Sequence, residues 1–151
     1  MTNALKNRRD SQARRRRAAQ MMKRIIVHFR SQMDEMLRPH GVTTAQLVVL
    51  KAVENEPVAS GAQLARACYV TPQSAQALLK SLEDGGWIIR AKDTVNDRIL
   101  IAKLTPSGVK LLETGEKLAR VIEKRLWQGV PDSVVVALNR TLVRCLANLE
   151  N

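Results

Sequence analysis

The chain is poor in aromatic residues and cysteine and has no long apolar run, and each shortage narrows what it can be. Phe, Tyr and Trp make up 3% of its 151 residues. Sustained alternating runs of β-branched residues are few, so a mostly helical architecture is expected. No apolar stretch approaches the roughly 20 residues of a membrane span. The start is polar and arginine-rich, without a secretory apolar segment, so no membrane partner is expected. Two thiols, Cys68 and Cys145, lie far apart in apolar helical contexts. They make neither a disulfide framework nor a metal cluster, and a reducing, cytoplasmic setting follows with no metal or cofactor.

Acid is scarce too: 14 Asp and Glu face 25 Lys and Arg, a net charge of +11 and a pI near 10.5. Such an excess calls for a polyanionic partner, though charge alone does not separate DNA from RNA or an acidic membrane. Ten of the basic residues fall within the first thirty positions against the single acid Asp10. The run around Arg14, Arg15, Arg16 and Arg17 has almost nothing apolar with which to offset its ordering entropy. Residues 1–20 are therefore expected as a flexible arm or a frayed helix extension, either touching DNA or acting as a solubilising tail. Residues 21–151 are expected to fold as one unit, because the chain is too short for two comfortable domains.

Within that unit the apolar residues recur at helical spacing. Met22, Ile25, Ile26, Phe29, Met33, Met36 and Leu37 form one stripe, ended by Pro39 and Gly41. Thr43 with Gln46, and Ser60 with Gln63, have the spacing of reciprocal helix caps. Thr71 followed by Pro72 supplies an N-cap and a first-turn proline for a helix reaching Asp84, where Gly85 and Gly86 can stop it. WIIRA and ILIAKL, separated by the polar KDTVNDR, read as an antiparallel hairpin. Two more helices follow, from Thr105–Pro106 to about Gln128 and from about Val134 to Leu149.

Helix, helix, short helix, tight turn, helix and hairpin is the layout of a winged helix-turn-helix, whose second paired helix enters the major groove of DNA. On the helix from Thr71 to Asp84, Ala75, Leu78, Leu79 and Leu82 make the apolar face. Gln73, Ser74, Gln76, Ala77 and Lys80 are left toward solvent. Gln suits the adenine edge, and Lys80 can reach guanine or a phosphate. Thr71 and Ser74 are placed for phosphate contacts that set register. Lys92, Asn96 and Arg98 of the hairpin can reach the minor groove or the backbone. Asp93 and Asp97 lie in the same tip, but no nucleophile, metal cluster or apolar wall near them suggests catalysis, and Asp97 is read as positioning an arginine.

GVTTAQLVVLKAV, GAQLARACYVTPQSAQALLKSLEDGGWIIR and NDRILIAKLTPSG together resemble the MarR family of transcriptional regulators across roughly residues 20–149. The resemblance implies a homodimer built from helices at about 21–38 and 106–149, with winged lobes at about 42–105 reading a palindromic operator. It puts Arg98 at the wing-tip arginine. It also marks two departures: Ala77 where arginine is common, and Asn96 where an acid is usual. Family members often bind phenolic or aromatic carboxylate effectors, here expected in a cleft lined from the first, second and fifth helices. His28, Met33, His40, Gln46 and Leu50 are the candidate ligand residues. A nonspecific architectural binder driven by the arm, and a thiol-sensing regulator working through Cys68, are the alternatives; no motif supports an enzyme.

Overall fold

The computed structural model describes residues 2–92, 95 and 100–150, with side chains from Lys6 onward. The elements in chain order are α1 (Thr2–Leu37), a 3-10 turn (Arg38–His40), α2 (Thr44–Asn55), α3 (Gly61–Ala67), α4 (Pro72–Asp84), β1 (Ile88–Lys92), β2 (Leu100–Leu104), α5 (Pro106–Leu126) and α6 (Asp132–Glu150). The fold is thus mostly helical with one antiparallel hairpin, in which Ile88 pairs with Leu104 and Lys92 with Leu100. Two compact units result, Met1–Ala119 and Arg120–Asn151. No helix among the described residues is long and apolar enough to cross a membrane.

The helix starts follow from their caps. Thr43 and Gln46 form the reciprocal pair at α2: the Gln46 amide donates its backbone N–H to Thr43 Oγ1, and Thr43 N–H donates to Gln46 Oε1 at 2.8 Å. Ser60 and Gln63 repeat it at α3. Asp34 of α1 accepts the Thr44 N–H at 2.7 Å, so a carboxylate from one helix sits on the opening turn of the next. At the other end of α4, Gly86 takes the left-handed conformation at φ 75°, and Trp87 N–H donates back to Leu82 O. Gly85 stays right-handed at φ −79°, so Gly86 alone supplies the left-handed stop.

The core of the first unit gathers Met33 and Leu37 of α1, Val49, Leu50 and Val53 of α2, Leu64 of α3, Ala75, Leu79 and Leu82 of α4, Ile88 and Ile101 of the hairpin, and Leu111 and Leu112 of α5. Ser60 also makes an isolated bridge to Ile101, which ties the start of α3 to the second strand. In the second unit, α6 has no buried residue, and Leu138, Leu142 and Leu146 are exposed along it. At the N-terminus the basic stretch is part of α1, continuous from Thr2, so of the two expected forms, a flexible arm or a helix extension, it takes the helix. Its Ala, Arg, Gln and Lys residues are strong helix formers, and no Gly or Pro interrupts them before Pro39.

Two substitutions test this account. Thr105 donates its N–H to Trp87 O at 3.0 Å and caps α5 by accepting from Gly108 N–H. A Cβ on Gly108 would overlap that same Trp87 carbonyl, which is backbone and cannot swing aside. Gly108→Ala is expected to cost about 2–3 kcal/mol in equilibrium unfolding. Asp34 gives a pH signature. Burial raises its carboxyl, but the Thr44 hydrogen bonds and the field of Arg30 outweigh this and hold it below its ordinary value of 3.8. Its stabilisation is therefore present at neutral pH and lost as pH falls through the lowered folded-state value. Asp34→Ala should destabilise by about 1 kcal/mol at pH 7, with the gap from wild type closing in acid.

Candidate nucleic-acid interface

The turn between α3 and α4 decides how α4 is presented. Tyr69 is left-handed at φ 54° although it is not glycine, and it is 86% exposed. Its N–H donates to Arg66 O at 3.1 Å, and Val70 N–H donates to Ala65 O at 3.0 Å. This paired closure satisfies the last carbonyls of α3 within two residues. Thr71 Oγ1 then accepts from Ser74 N–H at 3.1 Å and donates to Ser74 Oγ at 2.9 Å, so α4 begins at once with Pro72 in its first turn. Nothing in the composition marks Tyr69 as the turn's left-handed residue. A bulky residue there costs roughly 1 kcal/mol, which the surrounding core must hold.

On α4, Ala75, Leu79 and Leu82 are buried and Leu78 is half-buried, while Gln73, Ser74, Gln76, Ala77 and Lys80 are all exposed. The expected division between faces is therefore observed. Two members of the polar face are nonetheless engaged. Lys80 Nζ pairs with Asp84 at 3.0 Å. Gln76 Oε1 accepts from Arg90 of β1 at 3.3 Å, and its amide nitrogen lies over Gly61. Lys92 is exposed at the end of β1, and Arg14, Arg15, Arg16 and Arg17 are exposed on α1. Asn96, Asp97 and Arg98, together with Asp93, lie outside the described residues.

This arrangement matches known proteins. The family model of the MarR family matches residues 40–99. The HTH-type transcriptional repressor Rv2887 of Mycobacterium tuberculosis is 32% identical over 106 residues, spanning 70% of this chain and 76% of that protein. The chain belongs to the MarR family. This MarR-family chain also shares its fold with solved members. The MepR–DNA complex of S. aureus superposes with a TM-score of 0.76 at 21% identity, covering 85% of this chain and 94% of that one. CouR from Rhodococcus jostii RHA1, bound to p-coumaroyl-CoA, gives 0.71 at 21% identity over 81% and 86%. The protein is a DNA-binding transcriptional regulator of winged helix-turn-helix architecture.

Among the described residues of this MarR-family regulator, the five candidate ligand residues are divided between core and surface. Met33 and Leu50 are core, at 2% and 0% exposure. Gln46, at 8%, is taken up by its cap and by an Nε2 donation to Ser81 of α4 at 2.8 Å. His28 is exposed on α1, as Ile25 and Ile26 are, and His40 is exposed in the 3-10 turn. A cavity of about 260 Å³ instead lies among Ile26, Phe29 and Arg30 of α1, Thr44, Ala45, Val48 and Val49 of α2, Cys68 and Val70 of the turn, and Leu78 of α4. It takes no residue from α5. Apolar side chains spaced along one helix face announce packing, so the missing contact that makes a cavity leaves no mark in the periodicity.

Cys68 edges that cavity, half-buried, with Sγ 3.9 Å from Val48 O. Burial, reinforced by the charge of Glu56, pushes its thiol above the ordinary value of 9.0. A redox-sensing cysteine needs the opposite shift. In a Cys145→Ala background, alkylation of Cys68 is expected to be slow at pH 7 and to climb about tenfold per pH unit up to pH 9, following its thiolate. A rate already level below pH 7 would mark an activated thiol.

Proposed function

We propose that this protein is a sequence-specific repressor that binds a palindromic operator in double-stranded DNA as a homodimer and is released by a small aromatic carboxylate or phenol. The observation that carries the reading is the exposed face of α4, where Gln73, Ser74 and Ala77 project from a helix whose other side is locked into the core. Such a face, beside a two-stranded wing, suits base edges in the major groove, with Thr71 and Ser74 on phosphates. Lys80 joins the contact set once released from Asp84, Gln76 offers its exposed side chain to the same groove while Arg90 still donates to its Oε1, and Lys92, Asn96 and Arg98 serve the wing. Arg14, Arg15, Arg16 and Arg17 add sequence-independent attraction to phosphates.

Homodimer formation is supported by apolar residues that each unit leaves exposed: Ile25 and Ile26 of α1 in one, Leu138, Leu142 and Leu146 of α6 in the other. A second copy would cover them. Release by an effector is supported by the apolar cavity with Arg30 at its edge, a cation suited to a carboxylate on an aromatic ring. Rv2887 is named a repressor, MepR was solved with DNA and CouR with p-coumaroyl-CoA, which favours the same assignments here.

An architectural DNA binder driven by the basic end of α1 is the competing reading, favoured by ten basic side chains in thirty residues. Competition between genomic fragments separates the two. The repressor reading expects a preferred fragment bound at least about a thousandfold more tightly than bulk DNA, and released by added aromatic acids. Deleting residues 1–17 should then weaken binding to all fragments alike and flatten the salt dependence without dissociating the dimer. Equal affinity for all fragments would establish the architectural reading instead.

A further inference from the structure

The recognition helix and the wing are joined through one guanidinium that the contacts above leave unused. Arg90 of β1 donates from Nε to Glu83 Oε2 at 2.8 Å, and its terminal nitrogen lies 2.6 Å from the same oxygen. Its other terminal nitrogen donates to Gln76 Oε1 at 3.3 Å. Glu83 and Gln76 are seven residues apart and so share a face of α4, two turns from each other. The far end of Gln76 rests on Gly61, the first residue of α3, where a Cβ would overlap it. Three elements therefore meet at Arg90, whose side chain is only 22% exposed.

A hairpin held to a helix by apolar contact alone can rock, and reading two grooves at once requires the helix-to-wing distance to be fixed within a fraction of an ångström. A guanidinium suits that task because it is planar and presents several donors in a rigid fork, whereas an ammonium is a single point charge on a flexible stem. We propose that Arg90 is the positioning residue for operator specificity, holding the wing strand to the recognition helix through Glu83 and Gln76. The inference rests on the reading of α4 as the base-reading helix. It assigns Gln76 a brace in the free protein in addition to any contact with a base.

The test uses the full-length dimer and two DNA probes: a duplex selected from a randomised pool by the wild-type protein, and a scrambled duplex of the same composition. For Arg90→Gln, Arg90→Lys and Glu83→Ala, affinity for the selected duplex is expected to fall at least about tenfold, with affinity for the scrambled one unchanged. The salt slope should stay at the wild-type value in all three, because no phosphate contact is lost. If Arg90 instead touched a phosphate, Arg90→Gln would lower the slope by about one on both duplexes, Arg90→Lys would restore it, and Glu83→Ala would do no harm. That pattern overturns the proposal. Should Arg90→Gln fail to fold, Arg90→Lys and Glu83→Ala carry the same comparison. Failure of the wild type to select any duplex would remove the base-reading role of α4, and this proposal with it. A clear selection left intact by the substitutions removes the proposal alone.

Discussion

The burial of Ala75, Leu79 and Leu82 is the constraint on which the rest of the molecule depends. Those side chains fix the rotation of α4 about its own axis, and with it the set of polar groups that can meet a base. Rotating the helix by one residue would expose Leu79 and bury Lys80 or Gln76, at a cost of roughly 2 kcal/mol for the leucine before any penalty for the polar groups. Specificity in a small regulator therefore begins as hydrophobic packing. The exposed polar face is what remains after the core has taken its share.

Local devices hold the ends of that helix and were largely legible in the residues. The pairs Thr43 with Gln46 and Ser60 with Gln63, and Thr71 before Pro72, are caps whose chemistry works across three or four residues and needs no tertiary information. The hairpin was legible for the same reason, since β-branched runs on either side of a polar turn pair with one another. Gly108 is a different case. It could be seen as part of a motif, but the reason for it is the Trp87 carbonyl, twenty-one residues away, which only the folded chain brings against it.

What stayed hidden was whatever depends on two elements meeting. The basic stretch carries no apolar stripe, so its composition left a flexible arm and a helix extension both open; its helix propensity and continuity with the stripe from Met22 make one long helix. The histidines looked like ligand groups by chemistry alone, and both stand exposed, His28 on α1 and His40 in the 3-10 turn. Gln46, already legible as a cap, looked available to a ligand because its bond to Ser81 of α4 exists only once the two helices meet. Tyr69 at a left-handed position could not be anticipated, because the usual signal, a glycine, is absent there.

On the proposed reading, the charge of α1 and the exposed face of α4 act over different distances, and that separation would let one small chain both find and discriminate a site. On that reading, cations along α1 would act on DNA across about 8–10 Å of physiological salt solution, without regard to sequence. The groups on α4 would act only within hydrogen-bond reach, about 3 Å, and only with the helix already correctly rotated and the wing correctly spaced. A protein with the first alone would bind everywhere. One with the second alone would discriminate but would search slowly and hold weakly at each encounter. Joining them on one chain makes operator recognition a matter of rigidity between elements. In this fold α4 is held by buried aliphatic side chains, a two-residue turn closure at Tyr69, and the polar cluster at Arg90.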